Sequence, residues 1–227
     1  MNARELSRYI DHTLLLPTAT REQLEQVVSE AIEYQFRTVC IESKWLSVAA
    51  PRLAKSSVLP ITVISFPGGE RSSAEKVREA TEAVKLGARE VDMVLNRSLL
   101  AAARYKETLD DIRGVVDAAR VPVKVILETS ELTDEQKAIA CALAKAAGAA
   151  FVKTSTGFSR GGATAEDIRL MRRVVGPELG VKASGGIRTL KDALMMIEAG
   201  ATRLGCSASV SIVNELSGSR PVDGGNY

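Results

Sequence analysis

Aromatic residues are scarce in this 227-residue chain, at 4% of the whole with a single tryptophan. Any core must therefore be aliphatic, and a hydrophobic share of 45% supplies enough Ala, Val, Leu and Ile to build a substantial one. Cysteine is equally sparse. Cys40, Cys141 and Cys206 stand far apart with no C-x-x-C pair. That pattern argues against a disulfide framework or a zinc site and suits a reducing cytoplasm. Neither sign of charge is in excess: the net value of +2 gives no reason to expect nucleic acid or an anionic membrane surface as a partner. Long apolar runs are missing too, since the most apolar stretch, 138–152, contains Lys145 and is too short to span a bilayer. The opening residues, Met1-Asn2-Ala3-Arg4-Glu5-Leu6-Ser7-Arg8, carry no apolar region of the signal-peptide kind. A soluble cytoplasmic protein is expected, of one larger domain or two small ones.

What the chain does have is rhythm. Short β-branched runs fall at 9–14, 38–41, 61–65, 90–95, 123–128, 151–154, 180–183 and 203–205, with amphipathic helical patterns between them. Among those helices are 72–86, 100–119 and 134–147. Three similar tripeptides, Leu86-Gly87-Ala88, Ala147-Gly148-Ala149 and Ala199-Gly200-Ala201, each close a helix just before a strand. Glycine suits the position after a helix end because φ is commonly positive there. Eight βα units in this length predict an α/β fold of the (β/α)8 TIM barrel kind, as a single domain. An open doubly wound sheet is the alternative, but its glycine-rich turn would follow the first strand. Here the glycines follow the last strands. The expected organisation is a barrel over 1–216 with a short N-terminal helix, then a Gly-, Ser- and Pro-containing tail over 217–227.

Barrel active sites lie at the C-terminal strand ends. Those ends carry Asp11, Cys40, Asp92, Glu128, Lys153 and Lys182. A lysine so placed can pair with an acid, bind a phosphate or attack a carbonyl as an amine. The last role needs a neutral amine, and bringing a lysine from about 10.4 to near 7 takes about 4–5 kcal/mol. A second ammonium on the neighbouring strand supplies part of this, and desolvation the rest. Glycine-containing turns at 183–189 and 205–209 follow the seventh and eighth strands, where barrels often grip phosphate with backbone amides and a helix N-terminus. Two ordinary βα turns would look the same.

Four segments resemble the deoxyribose-phosphate aldolase family. Phe151-Val152-Lys153-Thr154-Ser155-Thr156-Gly157-Phe158 is similar to its Schiff-base signature, and Gly180-Val181-Lys182-Ala183-Ser184-Gly185-Gly186-Ile187-Arg188-Thr189 to its second-lysine motif. Glu90-Val91-Asp92-Met93-Val94 resembles its catalytic aspartate strand, and Ile10-Asp11-His12-Thr13-Leu14-Leu15 its opening motif. The resemblance runs in order from about residue 9 to 213. It implies reversible cleavage of 2-deoxy-D-ribose 5-phosphate to acetaldehyde and D-glyceraldehyde 3-phosphate. Lys153 would form the imine, and Asp92 with Lys182 would move a proton through an ordered water. The imine is the electron sink, so no metal or other cofactor is expected. Asp11 and Thr13 would support the water network, and Cys40 would lie beside the pocket. Phosphate and substrate would meet Thr156, Gly157, Phe158, Gly185, Gly186, Ile187, Arg188, Gly205 and Ser207. Relatives commonly form homodimers, and a tail tyrosine, here Tyr227, often reaches the site. Partners are thus expected to be a sugar phosphate and an aldehyde.

The chain departs from the family pattern in places. Leu16 stands where relatives often carry Lys, Glu42-Ser43 replaces Asn-Pro, and Ser130 replaces Cys. Gly205-Cys206-Ser207-Ala208-Ser209 differs from Gly-Thr-Ser-Ser-Gly, with one hydroxyl lost at Ala208, which bears on phosphate affinity. Other residues have plainer readings. His12 is expected to make a structural hydrogen bond, Lys124 to be structural near the barrel bottom, Glu128 either to join the polar network at the mouth or to pair with an Arg or Lys, and Cys206 to pack. Two other functions are consistent with the motifs: a Schiff-base aldolase acting on a keto acid or a different sugar phosphate, and a phosphosugar-binding protein without catalysis.

Overall fold

The computed structural model describes residues 1–218; Tyr227 and the rest of 219–227 lie outside the described residues. Eight parallel strands close into a barrel in chain order. They are β1 (Ile10–Leu14), β2 (Thr38–Ile41), β3 (Leu59–Ile64), β4 (Glu90–Val94), β5 (Val123–Ile126), β6 (Phe151–Lys153), β7 (Gly180–Ser184) and β8 (Arg203–Cys206). Helices α1 (Ala3–Ser7), α2 (Arg21–Glu33), α3 (Leu46–Leu53), α4 (Ser73–Lys85), α5 (Arg97–Ala101), α6 (Tyr105–Ala119), α7 (Asp134–Ala146), α8 (Ala165–Val175), α9 (Leu190–Glu198) and α10 (Ser209–Leu216) surround it. Every expected strand is present, within two residues at each end. Among the described residues, no helix is long and apolar enough to cross a membrane.

The helices start where capping chemistry dictates. Thr20, Ser72, Thr133 and Thr189 each accept a hydrogen bond from the backbone three residues on, and the side chain there returns the bond. Their ends explain the repeated tripeptide. Gly87, Gly148 and Gly200 have φ of 109°, 84° and 112°, and the residue after each donates to the carbonyl five back. This is the Schellman arrangement, which satisfies the last carbonyls of a helix before the chain turns into a strand. A fourth copy was hidden from sequence reading. Gln35, at φ 52°, joins α2 to β2, with Phe36 N donating to Ala31 O just as Ala88 N donates to Ala83 O. All four even-numbered strands are therefore approached through the same turn.

One helix differs from expectation. The segment 100–119 is not continuous: α5 ends at Ala101, Ala103 takes φ 53°, and α6 starts at Tyr105. Nothing local in Ala101-Ala102-Ala103 marks that break, because alanine favours helix. The aliphatic core is as expected: Val39, Ile41, Val91, Met93, Val125, Val152, Val181 and Leu204 on the strands are inaccessible to solvent. They face the helices, so the opposite strand face is left to line the barrel interior.

Candidate active site

Inside the barrel that interior face is charged. Asp92 on β4 is fully buried and accepts from three lysines: Lys124 on β5 at 2.8 Å to Oδ1, and Lys153 and Lys182 at 2.9 and 2.8 Å to Oδ2. Strand register makes this possible, since Lys153 on β6 pairs directly with Lys182 on β7, and Asp92 with Lys124. Asp11 on β1 stands 2.5 Å from Lys182 Nζ through Oδ2 and accepts from Arg203 on β8 at 2.7 Å through Oδ1. Glu90, two residues before Asp92 on β4, meets Lys124 at 2.6 Å and Arg203 at 3.0 Å. Asp11, Glu90 and Asp92 all lie on β1 and β4, while the four cations lie on β5 to β8.

The two lysines at the mouth differ in their protonation. Burial disfavours the charged form of both. For Lys182 the carboxylates of Asp11 and Asp92 outweigh burial and hold its pKa above the usual lysine range. For Lys153 burial wins, helped by Lys182 and opposed by Asp92, and its pKa falls below that range. Burial would raise the two aspartates, but the surrounding cations outweigh it and keep both acidic.

Above this layer opens a cavity of about 320 Å3, lined by Thr13, Lys153, Thr156, Gly157, Phe158, Gly185, Gly186, Ile187, Arg188, Gly205 and Ser207, together with Leu15, Leu16, Ser184 and Cys206. Of the sequence-derived candidates within the described residues, Asp11, Cys40, Asp92 and Lys182 do not line it; they sit in or beside the charged layer beneath. Leu16 is part of the wall. Gly186 has φ 78° and open space where a Cβ would be, so its backbone is bare to the cavity. Gly205 serves differently: a Cβ there would come within 2.3 Å of Ser184 Oγ and 3.0 Å of Lys182 Cε. Only glycine leaves room for the lysine to pass. The N-terminus of α10 also faces this loop; Ala208 is its N-cap without a side-chain bond, and Ser209 Oγ donates back to Cys206 O at 2.9 Å. Phe158, half exposed at the rim, meets Phe66 edge to face.

Several minor expectations are revised. Lys124 is the second residue of β5, yet its long side chain carries the ammonium up into the Asp92 layer. Among the described residues Glu128 has no Arg or Lys partner; it accepts from Thr156 N, Thr156 Oγ1 and Ser159 Oγ at 3.2, 2.5 and 2.8 Å, and so fixes the loop after Lys153. It lies beyond β5 at φ 60°. His12 makes the expected structural bond, to Glu30 at 2.8 Å. Glu90 and Arg203 had no assigned role in the sequence reading, although a signal existed. Side chains alternate along a strand, so residues two before Asp92 and Gly205 must share their inward face.

Known proteins resemble this chain along most of its length. Residues 6–213 match the family described as DeoC/LacD family aldolase. A deoxyribose-phosphate aldolase of Enterococcus faecalis is 54% identical over 216 residues, covering 94% of this chain and 98% of that protein. One from Carboxydothermus hydrogenoformans is 52% identical, covering 95% and 97%. Among solved structures, the tetrameric deoxyribose phosphate aldolase of Aeropyrum pernix superposes with a TM-score of 0.89 at 32% identity, covering 95% of this chain and 92% of that one. Matched along nearly all of its barrel, the chain belongs to the DeoC/LacD family of aldolases.

Proposed function

We infer that this protein is a deoxyribose-phosphate aldolase, cleaving 2-deoxy-D-ribose 5-phosphate reversibly to acetaldehyde and D-glyceraldehyde 3-phosphate. The observation that carries the reading is Lys153: a buried lysine with depressed basicity at the floor of a cavity, sharing one carboxylate oxygen with a lysine that stays cationic.

In the proposed chemistry the neutral Nζ of Lys153 adds to C1 of the open-chain sugar, and loss of water gives the iminium. The C3 hydroxyl loses its proton to Asp92 and Lys182 by way of a water as the C2–C3 bond breaks. The bonding electrons move into the iminium, forming an enamine and releasing the aldehyde end as glyceraldehyde 3-phosphate. Protonation of C2, assigned by the family resemblance to Tyr227, and hydrolysis of the imine then free acetaldehyde and Lys153. Asp11 keeps Lys182 in place, Thr13 and Cys40 border the water network, and Thr156 and Phe158 shape the wall. Gly157, Gly185, Gly186, Ile187, Arg188, Gly205 and Ser207, with the α10 N-terminus, offer the donors and space a phosphate needs.

We also propose one domain over 1–216 followed by a tail, a cytoplasmic location and a homodimer. The Aeropyrum pernix relative is a tetramer, so sedimentation analysis distinguishes the two assemblies. The deciding experiment for the activity is borohydride reduction in the presence of acetaldehyde, followed by peptide mass analysis. The adduct is expected on the peptide containing Lys153 and absent from Lys153→Ala. Labelling that survives Lys153→Ala unchanged would falsify the assignment, and a phosphosugar-binding protein without catalysis gives no adduct at all.

A further inference from the structure

Beneath the carboxylate shared by Lys153 and Lys182 lies a second tier of charge with no part in the chemistry above. Arg203 Nη1 stands 2.7 Å from Asp11 Oδ1 and 3.0 Å from Glu90 Oε2, and its Nη2 lies 3.4 Å from Glu90 Oε1. Lys124 Nζ bridges Glu90 at 2.6 Å and Asp92 at 2.8 Å. The Phe151 ring supports both cations, its centroid 5.0 Å from the guanidinium carbon and 5.8 Å from the ammonium. Glu90, Lys124 and Arg203 are buried and none lines the cavity, so a substrate there does not touch them.

The tier matters through its count. Among the described residues the cluster, fully ionised, holds four cations, Lys124, Lys153, Lys182 and Arg203, against three carboxylates, Asp11, Glu90 and Asp92. A buried charge without a counter-charge is costly, so the cluster is neutral only when one cation gives up its proton. Arginine cannot. Lys182 is held by two carboxylates, at 2.5 and 2.8 Å, and Lys124 by three, at 2.6, 2.8 and 3.9 Å. Lys153 has one, Asp92, at 2.9 Å. It is the weakest-held ammonium, and it is the one that faces the cavity.

We propose that Arg203 and Glu90 are positioning residues that set the proton count of the site. Arg203 supplies the positive charge that makes Lys153 the neutral amine, and Glu90 supplies the negative charge that limits the excess to one proton. The inference rests on the aldolase reading above. Other titratable groups around Lys153 do not alter the count. Burial pushes the Cys40 thiol on β2 up to about 11 and the Cys206 thiol on β8 up to about 12, so both stay neutral. Glu128, after β5, is turned to Thr156 and Ser159.

The test is the acid limb of kcat/KM for cleavage against pH, whose midpoint reports the free amine. Arg203→Met removes a cation, so Lys153 regains its proton more readily and the midpoint should move up. Glu90→Gln removes an anion and should move it down. Each shift is expected to be about one pH unit, the effect of a unit charge at roughly 10 Å when the effective dielectric is about 20. Arg203→Lys should leave the midpoint near its original place, and the double variant Glu90→Gln/Arg203→Met should return it there. A purely structural role would depress kcat/KM at every pH without opposed shifts. Unmoved midpoints, or two shifts of the same sign, overturn the proposal. Should Arg203→Met fail to fold, the near-isosteric Glu90→Gln decides alone: a downward shift supports it and none overturns it. Wild-type protein that forms no borohydride adduct on Lys153 overturns the aldolase reading itself, and this inference with it, in a separate measurement.

Discussion

At the scale of single residues, Asp92 has the most to do, because one oxygen accepts hydrogen bonds from both mouth lysines while the other is tied to Lys124. Asp92→Asn would keep the shape but lose the charge and one acceptor. Its kcat should fall by about 100-fold or more, typical of lost acid–base function, and near-normal turnover would remove Asp92 from the mechanism. Lys182→Arg keeps the charge but has a rigid fork in place of a compact ammonium. A phosphate-side prediction concerns Ala208. It caps α10 without a side-chain bond, and Ser209 has its hydroxyl committed to Cys206 O. Ala208→Ser should therefore lower KM for the phosphorylated substrate with little change in kcat. The same change should stabilise the fold by about 0.5–2 kcal/mol if the new hydroxyl caps the helix instead. Steady-state kinetics and thermal melting together tell which donor role it takes. Legibility at this scale followed position along a strand. Lys153 closes β6, where barrel chemistry is expected, while Asp92 and Lys182 are the middle residues of β4 and β7, two short of their strand ends. Glu90 and Arg203 stand at strand starts, and only their long side chains bring the charges into the same layer.

Among elements, the helix-to-strand turns were the most readable feature wherever glycine marked them. Gly87, Gly148 and Gly200 declare φ > 0 in the sequence, but Gln35 adopts the same conformation with a side chain that hides it. A side chain in the left-handed region costs roughly 1–2 kcal/mol, offset partly by the greater freedom glycine has when unfolded. Gln35 is exposed, so nothing else is lost on replacement. Gln35→Gly should thus stabilise the protein by about 0.5–1 kcal/mol, seen as a higher urea midpoint at unchanged slope. A lower midpoint would mean that the Gln35 side chain contributes more than its backbone costs. The break between α5 and α6 was illegible for the opposite reason. Ala103 sits at φ 53° in a run of alanines whose intrinsic preference is helical. There tertiary packing overrides the local signal. The ends of β3, β7 and β8 were read to within one residue, where their runs meet Ser65, Gly185 and Ser207.

For the whole molecule, the buried charges tie stability to pH. Asp11 and Asp92 are held below their unfolded values near 3.9 by the surrounding cations. Their contribution is present above that value and is lost as pH falls through it toward the depressed folded values. Melting temperature should therefore drop steeply below about pH 4. Asp11→Asn should start from a lower melting temperature, since it leaves Lys182 and Arg203 short of an anion, and then decline less steeply with acid. Parallel decline of the two proteins would show that Asp11 is not titrating in the native cluster. The same cluster has a direction along the chain. Asp11, Glu90 and Asp92 belong to β1–β4, whereas Lys124, Lys153, Lys182 and Arg203 belong to β5–β8. Each half-barrel thus presents an inner wall of one sign, and neither wall is neutralised until the halves meet. The catalytic layer is, in effect, the seam along which two complementary half-molecules recognise each other, so the chemistry assembles in the same act that closes the ring.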